Sequence, residues 1–326
     1  PPNGWNHTLV GARPVGAHHT HSSTREIKTK AFFQWIYIFG EMLAASELFS
    51  VAGRTVWVTG GSRGIGRMIA HGFVANGANV IITGRKAAAC AATAAELSEQ
   101  GPGSATALTG DLSSVEACRA AAEAVGAHAD GKLDVLVNNS GTSWGEPFDE
   151  SSERGWDRVF DLNVKAMFFL TQACAPLLSA AADASAEGAP SRVINIGSVA
   201  GLTHQPWPCH AYDVSKAAVH HMTEKLAFDL APRKITVNAI APGLVPSSMS
   251  EQLEAYASAE TLAESAPIGR VGRAGDMAGA ALYLASPAGS WVTGSVLRVD
   301  GGLLSHPCAM NSRKAIPRTR VGASRE

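Results

Sequence analysis

The stretch Thr59-Gly60-Gly61-Ser62-Arg63-Gly64-Ile65-Gly66 follows the apolar run Val56-Trp57-Val58. It precedes Met68-Ile69-Ala70 and Phe73-Val74, which are apolar at helical spacing. The run reads as a buried parallel strand and the segment after it as a helix, so the glycines fall at a strand-to-helix turn. There a dinucleotide pyrophosphate can rest on free backbone N–H groups and on the positive end of a helix dipole. Gly60 can take backbone angles closed to other residues. Gly64 puts no side chain in the way of phosphates, and Gly66 lets helix and strand pack closely. An ordinary glycine turn is the alternative. The Gly-x3-Gly-x-Gly spacing, with Thr59 before it and helical periodicity after it, favours the nucleotide reading.

Outward from this turn, strand and helix patterns alternate over residues 51–305. That predicts one Rossmann-like, doubly wound α/β domain, a mostly parallel seven-stranded sheet with helices on both faces. Strands are expected at 56–58, 79–83, 105–108, 133–137, 192–198, 235–240 and 295–299. Helices are expected at 87–100 and 114–128, around 162–170, and from Tyr212 through Leu230. The second strand ends at Gly84-Arg85, where NAD-specific dinucleotide folds carry an acid for the ribose 2′-hydroxyl. Arg85 and Arg63 instead offer guanidinium forks suited to a 2′-phosphate, so NADP (NADPH) is expected over NAD. Two solvated surface arginines are the alternative.

The chain has 326 residues, 46% hydrophobic and 17% charged, with a net charge of −1. This suits a globular protein with a large core and implies no basic face for nucleic acid. Five scattered cysteines with no CxxC pair suggest free thiols in a reducing compartment, with the cytoplasm as the expected location. His18, His19 and His21 cluster, and His220-His221 pair, without acids or cysteines at ligand spacing, so no metal is expected. Residues 1–50 differ from the rest: no acid precedes Glu26, a composition weakly like a mitochondrial or plastid transit segment. The apolar run 31–39 falls far short of the ~20 residues of a membrane span. A disordered lead and a polar, disordered tail over 306–326 are expected.

Four further residues point to chemistry. Strand five ends at Ser198, and fourteen positions on come Tyr212 and Lys216, four apart and so on one helix face. Asn163 is a polar residue in an apolar helical stripe and needs a reason to be there. With the glycine turn, this order resembles the short-chain dehydrogenase/reductase family over about residues 51–304. The resemblance implies a catalytic tetrad of Asn163, Ser198, Tyr212 and Lys216. Tyr212 would protonate a ketone oxygen, with Lys216 lowering the phenol pKa, Ser198 stabilising the developing charge and Asn163 holding a water as a proton relay.

The resemblance also implies cofactor contacts from Gly60, Ser62, Arg63, Gly64, Ile65, Gly66, Arg85, Asp111, Leu112, Asn138, Ser140, Gly141, Tyr212, Lys216, Pro242, Gly243, Val245 and Ser247. Ser140 stands where the family prefers Ala, and Ser247 where it usually has Thr. Residues 247–270 would form a mobile helical lid, and Trp144, Thr203, His204 and Trp207 would line the substrate pocket. The motifs at 138–145 and 195–201 and the Ser-to-Tyr spacing look like the rhamnolipid-pathway 3-oxoacyl-carrier-protein reductase branch. That implies a β-ketoacyl thioester substrate and a homotetramer or homodimer. A sugar, polyol or steroid dehydrogenase on the same scaffold is the alternative. A non-catalytic NADP sensor is disfavoured because Tyr212 and Lys216 are both present.

Overall fold

The computed structural model describes residues 44–185, 188–205, 207–247 and 258–305. The first 43 residues, the tail from 306 and residues 248–257 of the expected lid lie outside the described residues, and the rest of that lid carries the short helix α8 (Ala259–Glu264). Seven strands form one sheet: β1 (Thr55–Thr59), β2 (Asn79–Gly84), β3 (Ser104–Thr109), β4 (Val135–Asn138), β5 (Ser191–Ile196), β6 (Ile235–Pro242) and β7 (Val296–Val299). Their order is β3-β2-β1-β4-β5-β6-β7, and every neighbouring pair is parallel, so the sheet is wholly rather than mostly parallel.

Alternation along the central strands assigns side chains to two cores. Val56 and Val58 of β1, with Val135 and Val137 of β4, face α2 (Gly64–Ala75), α3 (Ala87–Glu99) and α9 (Ala274–Ala285). Trp57 and Leu136 face the other way, toward α4 (Val115–His128), α6 (Ala166–Ala184) and α7 (His210–Leu230). Burial on both faces explains why these strands read as continuous apolar runs.

Two boundaries and one helix differ from the sequence reading. The compact unit begins at Ala45, not 51: α1 (Ala45–Leu48) touches the 287–289 turn, and Val51 is buried in the core. Strand β5 stops at Ile196, two residues short of Ser198. Helix α9 was not anticipated at all. Its small residues serve packing: a Cβ on Gly72 of α2 would stand 2.5 Å from Ala278 Cβ.

The run Glu153–Ala184 comprises α5 (Glu153–Phe160), a π turn (Asp161–Lys165) and α6. It is long and apolar enough to cross a membrane by composition alone. Leu170, Cys174 and Leu178 bury that apolar face beneath the sheet, which accounts for its character.

Candidate active site

Because all strands run parallel, the glycine turn after β1 and the ends of β4, β5 and β6 open on one edge of the sheet. Gly60 and Gly64 have φ of +64° and +53°, a region that favours glycine. A Cβ on Gly66 would fall on Asn139 Nδ2 and on the Gly60 carbonyl. Asn139 fixes this turn: its Nδ2 donates to Thr59 O at 2.8 Å and to Gly60 O at 3.2 Å. Thr59 Oγ1 in turn accepts the backbone N–H groups of Asn139 and Ser140, each at 2.9 Å. Asn139 was not among the expected site residues, because only the pairing of β1 with β4 brings it to the turn.

Helix α2 starts at Gly64 with no side chain capping it, so its first N–H groups face the turn. Ser247 lies against the same turn, its Cβ 3.3 Å from where a Gly64 Cβ would stand. Arg63 and Arg85 are exposed, and their guanidinium groups make no hydrogen bond or ion pair among the described residues. At Gly84 a Cβ would stand 2.8 Å from Cys90 Sγ and 3.3 Å from Ser62 Oγ. The strand end thus has no room for the acid that would select a bare ribose. A backbone cradle with two free guanidinium groups fits a phosphorylated dinucleotide.

Several expected cofactor residues turn their side chains inward. Asn138 is buried, and its Nδ2 donates to Thr171 Oγ1 and Asn195 Oδ1, each at 2.9 Å. Val245 and Leu112 pack into the two cores. These residues can reach a ligand through the backbone, and their side chains hold the walls. Ile65 leans on the first core, and a Cβ on Gly243 would stand 2.8 Å from Asp300 Cα. Pro242 ends β6. Gly141 lies beside Asn163 Oδ1, and Asp111 is exposed.

Three of the four expected catalytic residues, Ser198, Tyr212 and Lys216, converge at the end of β5. Ser198 caps the turn Val199–Gly201, its Oγ accepting the Ala200 N–H at 3.1 Å. Its hydroxyl lies close enough to the Tyr212 phenol to pull that group's pKa down. Lys216, 5% exposed, donates to the Ile196 carbonyl at 2.8 Å, with Nζ 5.6 Å from the Tyr212 ring centroid.

One expectation changes here. Burial, not the ammonium, dominates the phenol: Tyr212 is pushed up to about 12, with Ser198 pulling it down and Cys209 and Asp213 pushing it further up. Burial also drives Lys216 down to about 8. Asn163 sits in the π turn, a device often found at functional sites. Its amide protons go to Thr142 O at 2.9 Å and Ser215 Oγ at 3.0 Å, and its Oδ1 accepts the Thr142 N–H at 2.8 Å. The side chain therefore braces the loop after β4 against α7.

The expected pocket residues divide. Trp144 packs on α5, where a Cβ on Gly155 would meet its Nε1 at 2.7 Å and the Arg158 guanidinium lies 5.1 Å from its ring centroid. It braces a wall. His204 is exposed on the loop joining Ser198 to α7, and Thr203 and Trp207 on that loop are half-buried. Asp213 anchors this loop by accepting the Gln205 N–H at 3.1 Å. Burial raises the Asp213 pKa, against the pull of His210 and His204.

Comparison with known proteins now decides the family. The family model described as Enoyl-(Acyl carrier protein) reductase matches residues 60–304. The chain belongs to the short-chain dehydrogenase/reductase family. It is 47% identical over 255 residues to the rhamnolipids biosynthesis 3-oxoacyl-[acyl-carrier-protein] reductase of Pseudomonas aeruginosa, covering 78% of this chain and 97% of that one. It is 37% identical over 260 residues to a galactitol 2-dehydrogenase (L-tagatose-forming) of Cereibacter sphaeroides, covering 78% and 96%. Among solved structures it resembles the Pseudomonas aeruginosa RhlG/NADP active-site complex, with 46% identity and a TM-score of 0.73, covering 78% of this chain and 98% of that one. The protein is thus an oxidoreductase of this family.

Proposed function

We propose that this enzyme reduces a ketone with NADPH, and that the ketone is the 3-oxo group of an acyl thioester. One observation carries the reading: the Ser198 hydroxyl, the Tyr212 phenol and the Lys216 ammonium meet at the end of β5, on the edge where the glycine turn opens. NADPH, when bound, supplies the hydride. Ser198 donates a hydrogen bond to the ketone oxygen and stabilises the charge that grows there. Tyr212 gives that oxygen its proton. Lys216 places positive charge beside the phenol and favours the phenolate left behind. Asn163 holds the loop after β4 in register with α7. The similarity to an acyl-carrier-protein reductase supports the thioester, and that to a galactitol dehydrogenase supports a sugar or polyol as the second reading.

NADPH oxidation assayed with acetoacetyl thioester, a ketose and a 3-oxosteroid separates these readings. The proposal expects the highest kcat/KM for the thioester, and a higher value for either other substrate overturns that choice. Arg63 and Arg85 support NADPH over NADH: two charge-assisted contacts at ~1.5–3 kcal/mol each allow a preference well over tenfold. Equal affinities by titration would refute it, and Arg85→Ala is expected to narrow the gap.

Exposed Phe168, Phe228 and Trp291 support a homotetramer, or failing that a homodimer. Light scattering at micromolar concentration tests this, and a monomer contradicts it. The free Cys90, Cys118, Cys174 and Cys209 suit a reducing cytoplasm.

A further inference from the structure

Helix α7 grips the end of β5 residue by residue. Thr223 Oγ1 accepts the Asn195 side-chain N–H at 2.9 Å. Lys216 Nζ donates to the Ile196 carbonyl at 2.8 Å. Between these two on the helix stands His220, one turn beyond Lys216 and two beyond Tyr212. It is 6% exposed and belongs to none of the roles above. Its ring fills the space beside Gly197: a Cβ there would stand 2.7 Å from His220 Cδ2. Its Nε2 accepts the backbone N–H of Ser198 at 3.4 Å. Nε2 can accept only when the proton sits on Nδ1, and Nδ1 is buried with no hydrogen bond of good geometry. A buried histidine kept neutral, its Nδ1–H facing the Gly201 backbone without a hydrogen bond of good geometry, carries a cost that needs a return.

We propose that His220 is a positioning residue for the reaction: as a neutral imidazole it holds the Ser198 amide and so fixes where the Ser198 hydroxyl meets the substrate oxygen. This rests on the reading of Ser198 as the carbonyl's hydrogen-bond donor. A protonated ring would turn an N–H on Nε2 against the Ser198 N–H and set a second positive charge near the Lys216 ammonium.

The charged groups that act on His220 are on its own helix, Lys216 opposing the charged form and Glu224 favouring it. From the end of β5 and the turn after it, His220 meets backbone, the Ser198 amide and Gly201. From β6, the Ile240 carbonyl accepts the Gly197 N–H at 2.7 Å on the same side. Burial dominates and holds the imidazole below its ordinary pKa, so the neutral form persists through neutral pH. The wild-type enzyme should therefore lose kcat on the acid side, as pH falls below the ordinary histidine range.

The test uses full-length H220L, H220N and H220Q, with NADPH affinity, kcat, KM and pH profiles for the ketone that wild type reduces best. Leu removes the acceptor and Asn is too short to reach Ser198, so both should lose about tenfold or more in kcat, with NADPH affinity within twofold. Gln reaches with an oxygen that does not titrate. It should recover most of the rate and carry its acid limb to lower pH than wild type. H220L at wild-type kcat, or H220Q with an unshifted acid limb, overturns the proposal. If H220L and H220N fail to fold, the H220Q profile decides alone. Tyr212→Phe run in parallel separates the two readings: if it stays active, the catalytic reading fails, whereas loss there with a wild-type H220L refutes only the role of His220.

Discussion

Burial drives the Lys216 ammonium down to about 8, while the phenol beside it is pushed up to about 12. The cation, not the phenol, should therefore set the alkaline limit of reduction. The rate of reduction is expected to fall as pH rises through about 8, because Lys216 loses its proton there. Lys216→Arg keeps its charge far higher and should move the fall upward by more than about one pH unit. An unmoved limb would mean that another group titrates. The same shift has a stability consequence. The folded pKa of about 8 lies below the 10.5 of an ordinary lysine, so the unfolded chain binds more protons between those values. The contribution of this group to stability rises as pH climbs from 8 to 10.5. Lys216→Met should abolish turnover without lowering Tm, since it removes a buried charge. At this scale Tyr212 and Lys216 were legible, because their spacing is written along one helix. Asn139 and His220 were not: each acts on a residue that the sheet or the helix packing brings to it.

Strand β5 and helix α9 meet through a buried arginine. Arg192 Nε donates to the Leu284 carbonyl and Nη2 to the Ser286 carbonyl, each at 3.2 Å, and Nη1 to the Pro190 carbonyl. The cation sits at the C-terminus of α9, where the helix dipole favours it. Burial still lowers its pKa to about 10. Arg192→Met keeps much of the volume and orphans three carbonyls, at ~1–3 kcal/mol for each that water cannot reach. With about 2–4 °C lost per kcal/mol in a chain of this size, Tm should drop by roughly 5–10 °C or more. Thermal unfolding checks this, and an unchanged Tm would show the contacts to be idle. The strand itself was legible from Val193-Ile194-Asn195-Ile196. The helix was not, because Gly275 and Gly279 dilute its apolar period and its partner, α2, lies about two hundred residues earlier.

At the scale of the whole molecule, the glycine turn and the strand–helix alternation carried the doubly wound fold, since a parallel sheet needs a crossover helix between strands and buries both faces. What each wall residue does was less legible. Asn138, Val245 and Leu112 stand among the expected cofactor contacts yet spend their side chains on the interior. A sequence pattern gives position along the chain, and the pleat decides the face. The central claim is that the hydroxyls of Ser198 and Tyr212 act on a ketone beside Lys216. Removing one hydroxyl atom tests it most directly. NADPH oxidation with the preferred ketone is to be measured for wild type and Tyr212→Phe, alongside NADPH binding by titration. The account predicts turnover lower by about a hundredfold or more, the range for a positioned general acid, with NADPH affinity nearly unchanged. Near-normal turnover in Tyr212→Phe would contradict it.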